Sequence, residues 1–258
     1  MQSNQILGRK VPSSKQGDAE VAPLHDHVIP WDDRIEGSIA RSRKQRGGNY
    51  VQLATVDGEG HPRCRTVVFR GFQALDTVGS PARSGPEGPP SVKEGGAAAG
   101  TQRRAFRMIT DARSEKVAHA AEVPKAELVW WFAKSSEQYR VAGDLEIVGP
   151  GATGERAMAR KAQWGNLSDS AREQFFWAAQ PGAVLGQGVA GGASALDSST
   201  SAIPAGGRDP SGSLLPPPDT FLLVLLWPIQ VKFLRLTDNY SQIDRFNGTA
   251  WTASPVSP

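Results

Sequence analysis

The sequence predicts an α+β fold, a six-stranded antiparallel barrel with peripheral helices, and three observations predict it. Runs rich in β-branched and aromatic residues recur in pairs: 50-YVQLATV-56 and 63-RCRTVVFRGF-72 flank DGEGHP, and 126-AELVWWFA-133 and 138-QYRVAGDLEIVG-149 flank a turn containing SSE. That spacing is hairpin spacing, so the pairing is antiparallel. A few short helical stretches with start signals surround these pairs. Finally, the tail 1–24 and the stretches 76–102 and 182–213 are low in complexity. Without them roughly 170 to 180 residues remain, which suits one compact domain.

The elements follow in order. A helix is signalled over 33-DRIEGSIARSRKQR-46, with Asp33 as cap, Glu36 in a box-like position and Gly47-Gly48 as the stop. The first hairpin comes next. Beyond the first insert, 104-RAFRMIT-110 reads as a strand and 113-RSEKVAHAAEV-123 as a short helix that Asp111 can cap. After the second hairpin, helices are expected over 153–163 and 168–179, and 219-DTFLLVLLWP-228 with 230-QVKFLRL-236 reads as a last hairpin-like pair. The inserts have no periodic apolar face to offset the entropy of ordering them. They are expected as flexible loops within a single domain spanning 25–258.

Composition excludes more than it selects. Only 39% of the 258 residues are hydrophobic, with 28 glycines and 19 prolines, as an ordinary core diluted by inserts would give. The net charge of +3 suits a phosphate-bearing ligand as well as nucleic acid. The single cysteine, Cys64, excludes an intramolecular disulfide and a cysteine-cluster zinc site, so a reducing compartment is the default. His25, His27, His61 and His119 are scattered, and no metal is expected. No N-terminal apolar run resembles a signal peptide, and 221-FLLVLLW-227 is too short to span a bilayer. A soluble, intracellular protein, cytoplasmic by default, with no membrane partner is the expectation.

Two basic clusters carry the functional reading. Along 65-RTVVFRGF-72, Arg65, Val67 and Phe69 share one strand face while Thr66, Val68 and Arg70 share the other. A ligand that touches both arginines must lie along the strand or wrap its end. In 110-TDARSEKV-117, Thr110, Arg113, Ser114 and Lys116 surround a strand-to-helix junction. Helix N-termini present unpaired N–H groups and partial positive charge, and hydroxyls and cations beside them complete an anion site.

In the order RTVVFRGF, ITDARSEK, WWFAKSSEQYRVAG, PPDTFLLVLL and a closing tryptophan-to-proline tail, the chain resembles a known family. This is the pyridoxamine 5′-phosphate oxidase-like flavoproteins with an FMN-binding split barrel, and within them the Alr4036-type branch. The resemblance runs from about Pro30-Trp31 to the C-terminus and skips the two inserts. It implies that Arg65 meets the FMN phosphate and that the backbone of Thr66, Val67, Val68 and Phe69 faces the isoalloxazine. Arg70 would sit near the ring or substrate, where it steadies the reduced, anionic ring and is the candidate catalytic residue. Thr110, Ser114 and Lys116 match the family's phosphate-binding junction, with Arg113 compensating for Glu115 where the oxidases have arginine. Gln138 matches a glutamine that reaches the ring from the partner subunit, Arg245 a late arginine that closes over it, and Trp251 with Pro258 the characteristic end.

Departures bear on the substrate. Leu234 stands where the family has a tryptophan, 241-SQI-243 replaces an Arg-x-His that grips the vitamin phosphate, and 164-WGNLSDS-170 lacks the substrate-binding Tyr and Arg. The resemblance implies an FMN-dependent oxidoreductase acting on an unidentified small substrate, without nucleic acid as a partner. Two other classes stay open: a flavin carrier or sensor without turnover, and a flavin-free barrel that binds nucleic acid through its basic strands. A homodimer is expected, because FLLVLLW and WWF call for more cover than a few helices supply.

Overall fold

The computed structural model describes residues 30–74, 103–177 and 203–258. The tail 1–24, the first insert and residues 182–202 of the second lie outside the described residues. Nine strands form one antiparallel sheet: β1 (Tyr50–Val56), β2 (Pro62–Val68), β3 (Phe72–Ala74), β4 (Arg104–Asp111), β5 (Lys125–Phe132), β6 (Glu137–Val148), β7 (Phe221–Arg235), β8 (Tyr240–Phe246) and β9 (Trp251–Val256). The order is β2-β1-β5-β6-β7-β4-β3, with β8 on β7 and β9 on β8. The antiparallel barrel is therefore as expected, with three strands beyond the six.

The barrel is split. β2 and β4 meet only where the chain runs on from β2: the Arg70 N–H donates to the Arg107 carbonyl (2.8 Å) and the Arg107 N–H to the Gly71 carbonyl (2.9 Å). Gly71 sits at φ +110°, a conformation that glycine alone adopts cheaply, and this lets the chain turn from β2 into β3. Along the rest of their length β2 and β4 do not pair. The turn of the first hairpin is held by Asp57, which accepts from the backbone of Glu59 and His61 and pairs with Arg63. Those contacts pull its carboxyl down to about 2, the His61 N–H contributing most.

The expected last hairpin is one strand. β7 runs through Pro228, and its register against β6 shifts between Ala142 and Gly143. Ile229 is the extra residue of a bulge, since Pro228 opposes Gly143 and Gln230 opposes Ala142. A bulge is where a sheet tolerates a proline, which has no N–H to give the ladder. The opposing residue must be glycine, because a methyl group there would overlap the Trp227 carbonyl. The apolar run Phe221–Pro228 is buried on both faces. Val224 and Leu226 join the barrel core, while Leu223, Leu225 and Trp227 pack under α3 (Gly154–Gly165). The chain thus covers FLLVLLW by itself, which removes that run from the case for a partner. Each fully buried Leu or Phe contributes about 1.5–3 kcal/mol.

Two more helices pack on the barrel core. α1 (Trp31–Ser42) buries Trp31 and Ile35, with Trp31 stacked on Phe106 at 5.6 Å between ring centroids. Its N-cap is Pro30, not Asp33, and the Trp31 N–H is held by the Asp244 carboxylate. α2 (Glu115–Glu122) begins at Ser114 rather than at an Asp111 cap, and buries His119 and Ala120. α4 (Asp169–Glu173) and a following 3₁₀ turn fill the place of the expected 168–179 helix. The described end of the second insert is structured, contrary to its composition. A 3₁₀ turn at Ala205–Gly207 packs on α4, with Arg172 Nε donating to the Gly206 carbonyl at 2.7 Å. Composition missed it because the partner is an arginine more than thirty residues away.

Candidate functional site

The end of β4 and the start of α2 bring Thr110, Ser114 and Lys116 together. Lys116 Nζ donates to Thr110 Oγ1 at 3.0 Å and to Ser114 Oγ. Ser114 makes no side-chain cap, so the first N–H groups of α2 stay directed outward beside this lysine. Arg65 comes from β2, across the split. Its Nη1 donates to the Leu53 carbonyl (3.1 Å) and to Thr55 Oγ1 (2.7 Å). Burial pushes the Lys116 ammonium below its usual range, and the nearby Arg65 guanidinium pushes it further. Two cations, two hydroxyls and a helix N-terminus at one place form an anion cradle.

A second pair of cations lies where the chain leaves β2. Arg70 follows β2, its carbonyl accepting from Arg107 Nη2 (2.8 Å) and Nε (3.3 Å), while Arg107 Nη1 reaches Gln73 Oε1 (3.1 Å). Burial lowers the affinity of both guanidinium groups for their proton. Arg65, Arg70, Arg107 and Lys116 make no ion pair among the described residues, whereas Arg41, Arg63, Arg104 and Arg140 do. The Nε of Arg70 is buried with no hydrogen-bond partner. A buried donor left open costs about 1–3 kcal/mol, so this N–H can take an acceptor.

The other residues singled out in the sequence lie elsewhere. Arg113 is committed to Asp111 through Nε (2.9 Å) and Nη2 (2.7 Å) and to the Trp177 carbonyl through Nη1 (2.8 Å). The carboxylate two residues back thus holds its fork. Val67 and Phe69 face the core, Phe69 buried and Val67 packed against it, while Thr66 and Val68 share the outer face with Arg70. Gln138 and Arg245 are on the outer face too, Gln138 between Trp131 and Leu234 and Arg245 bonded to Gln230 Oε1 at 3.1 Å. Neither meets the cradle within this chain. Arg107, Thr55 and His119 were not singled out for the site in the sequence. A cavity of ≈ 610 Å³ lies away from it, between α3 and 214–217, lined by apolar residues and Lys161.

Comparison with known proteins shows what this arrangement resembles. Residues 28–149 match the family model for the pyridoxamine 5′-phosphate oxidase FMN-binding domain, a range that holds both strands of the split and all of the cradle. Over that range the chain is similar to that FMN-binding domain. The pyridoxine/pyridoxamine 5′-phosphate oxidase 2 of Arabidopsis thaliana is 26% identical over 241 residues, covering 90% of this chain and 98% of the relative. A pyridoxamine 5′-phosphate oxidase-related, FMN-binding protein of Nostoc punctiforme superposes with a TM-score of 0.65 at 29% identity, over 89% of this chain and 98% of that one. PhzG of Burkholderia lata, solved with tetrahydrophenazine-1-carboxylic acid, shares the fold at a TM-score of 0.58 and 15% identity, over 88% of this chain and 92% of its own.

The donor set fits FMN. An FMN-binding domain must hold a phosphate dianion, and Lys116, Arg65, Thr110, Ser114 and the α2 N-terminus offer what a phosphate needs. It must also face a ring with acceptor atoms, and the open Nε of Arg70 lies further along the same strand. Among the described residues no helix is long and apolar enough to cross a membrane.

Proposed function

We propose that the chain is an FMN-dependent oxidoreductase of the Alr4036-type branch that acts on a small substrate as a homodimer. The observation that carries this reading is the set of four cations beside the split, none in an ion pair among the described residues, with the Arg70 Nε unpartnered. A structural ion-pair network would neutralise such charges. A site for a bound dianion beside an electron-rich ring keeps them free. FMN supplies hydride or electron transfer at its ring. In this assignment Arg65, Thr110, Ser114 and Lys116 hold the phosphate, and Arg113 has only a structural part. Thr66 to Phe69 run beside the ring, and Arg70 steadies negative charge that grows there, with Arg107 fixing the Arg70 backbone.

The position of Gln138 supports the dimer. Val68, Tyr50, Trp131, Gln138 and Leu234 share the outer face, in the register β2-β1-β5-β6-β7. Gln138 is thus three strand spacings from β2, about 14 Å, beyond the reach of its own side chain to a ring on β2. A partner's Gln138 would meet that ring if the two outer faces pack together. Tyr50 at 53% exposure and Trp131 at 44% are the apolar surface such packing would cover.

Two measurements test the reading. Sedimentation of the flavin-loaded protein over a dilution series should show a dimer, with Trp131→Asp shifting it to monomer and releasing flavin. A monomer with full flavin content at low concentration would refute the assembly. Turnover of pyridoxamine 5′-phosphate, reduced nicotinamides and tetrahydrophenazine carboxylates under air should show steady hydrogen peroxide formation with at least one class. Binding without turnover across all of them would favour a carrier or sensor.

A further inference from the structure

We propose that His119 and Thr55 form a positioning relay that aims Arg65 at the cofactor phosphate, a role that rests on the cradle assigned above. Thr55 is 1% exposed on the inward face of β1, and His119 is 9% exposed on α2. The Thr55 hydroxyl lies 3.0 Å from His119 Nδ1 and 2.7 Å from the donating Arg65 Nη1. A guanidinium can only donate, so the single hydroxyl hydrogen of Thr55 needs an acceptor elsewhere. His119 Nδ1 is the one at hand to accept it. The chain of donation runs Arg65 to Thr55 to His119, and it has one polarity.

This arrangement decides where Arg65 points. An arginine on the lip of a split barrel has several rotamers open to it and loses entropy when a ligand selects one. With Nη1 spent on the Leu53 carbonyl and Thr55 hydroxyl, the fork is held against β1. Its Nε and Nη2 donors have no hydrogen-bond partner among the described residues, and Lys116 is close enough for the two charges to repel. One turn of α2 separates Lys116 from His119, so the same helix face supplies a phosphate cation and the anchor that sets the second one. Preorganisation of this kind tightens binding without adding a contact to the ligand.

The test separates aim from fold. Full-length protein stripped of flavin is titrated with FMN and with riboflavin, which lacks the phosphate, and both dissociation constants are read from flavin fluorescence. In wild type, riboflavin should bind far more weakly than FMN. Thr55→Val and His119→Leu should each shrink that ratio about fivefold to tenfold while leaving the riboflavin constant within about twofold. Thr55→Ser and His119→Asn, which keep the hydroxyl and an acceptor at the Nδ1 position, should retain the ratio. The double variant T55V/H119L should be no worse than T55V, because the two residues act through one chain. An unchanged ratio in both single variants would overturn the relay, as would parallel weakening of both flavins, which marks a general structural role. Equal binding of FMN and riboflavin by wild type would instead overturn the cradle and the relay with it.

Discussion

Replacing Lys116 by methionine should strengthen the free protein while weakening its hold on FMN. The ammonium makes two contacts, to Thr110 Oγ1 at 3.0 Å and to Ser114 Oγ, and pairs with no carboxylate among the described residues. Burial and then Arg65 depress its pKa in the folded state. A lysine depressed on folding destabilises wherever it is charged in both states, and the penalty fades only as pH climbs past the folded value toward the ordinary one. The penalty is full below the folded value. Methionine, similar in length and uncharged, should therefore raise stability by about 0.5–1 kcal/mol. That is about 1–4 °C in melting temperature for a domain of this size. With FMN the sign reverses. A lost charge-assisted hydrogen bond of about 1.5–3 kcal/mol raises the dissociation constant roughly tenfold to over a hundredfold. Melting followed by tryptophan fluorescence, with and without FMN, reads both effects in one series. A free variant that melts below wild type would make Lys116 a structural tie, and an unchanged FMN affinity would remove it from the site.

Three further outcomes are expected. Arg113→Ala should leave FMN affinity within about threefold yet cost about 1–2 kcal/mol of stability, since it strips Asp111 of its partner and the Trp177 carbonyl of its donor; a tenfold loss of FMN would return Arg113 to the cradle. Asp244 is buried beside Gln242, Arg34, Asp32 and the Trp31 N–H, and burial raises its carboxyl to about 6. The ionised form is penalised in the fold, so wild-type stability should fall as pH rises from about 4 to about 6. Relative to wild type, Asp244→Asn should gain about 1–3 kcal/mol across that window in urea unfolding; parallel pH profiles would contradict this. Gly143→Ala should cost about 3 kcal/mol or more, or abolish soluble expression, because its methyl meets the Trp227 carbonyl at the bulge; a stable variant would mean that β7 can shift its register.

What the sequence showed and hid follows from distance along the chain. The cradle was legible because Thr110, Ser114 and Lys116 fall within seven residues, across one strand end and one helix start. Strand parity likewise placed Arg65 and Arg70 on opposite faces of one extended segment. The hold of Asp111 on Arg113 was hidden because spacing gives no direction to a side chain. Arg107 and the Thr55–His119 contact were hidden, since they depend on partners 37 and 64 residues away. The last hairpin failed for a local reason: Pro228 reads as a turn signal, and only the facing Gly143 reveals a bulge. The double burial of FLLVLLW was hidden too, because α3, which covers its far face, arises some sixty residues earlier.

The central claim is that the split between β2 and β4 is built around an FMN phosphate and ring. Protein purified under native conditions, denatured, and analysed by absorbance and mass spectrometry of what it releases tests that claim most directly. The account predicts yellow protein that releases FMN at close to one per chain, and a flavin-stripped form that regains FMN in preference to riboflavin. Colourless protein that cannot be reconstituted with FMN at any concentration tried would contradict it.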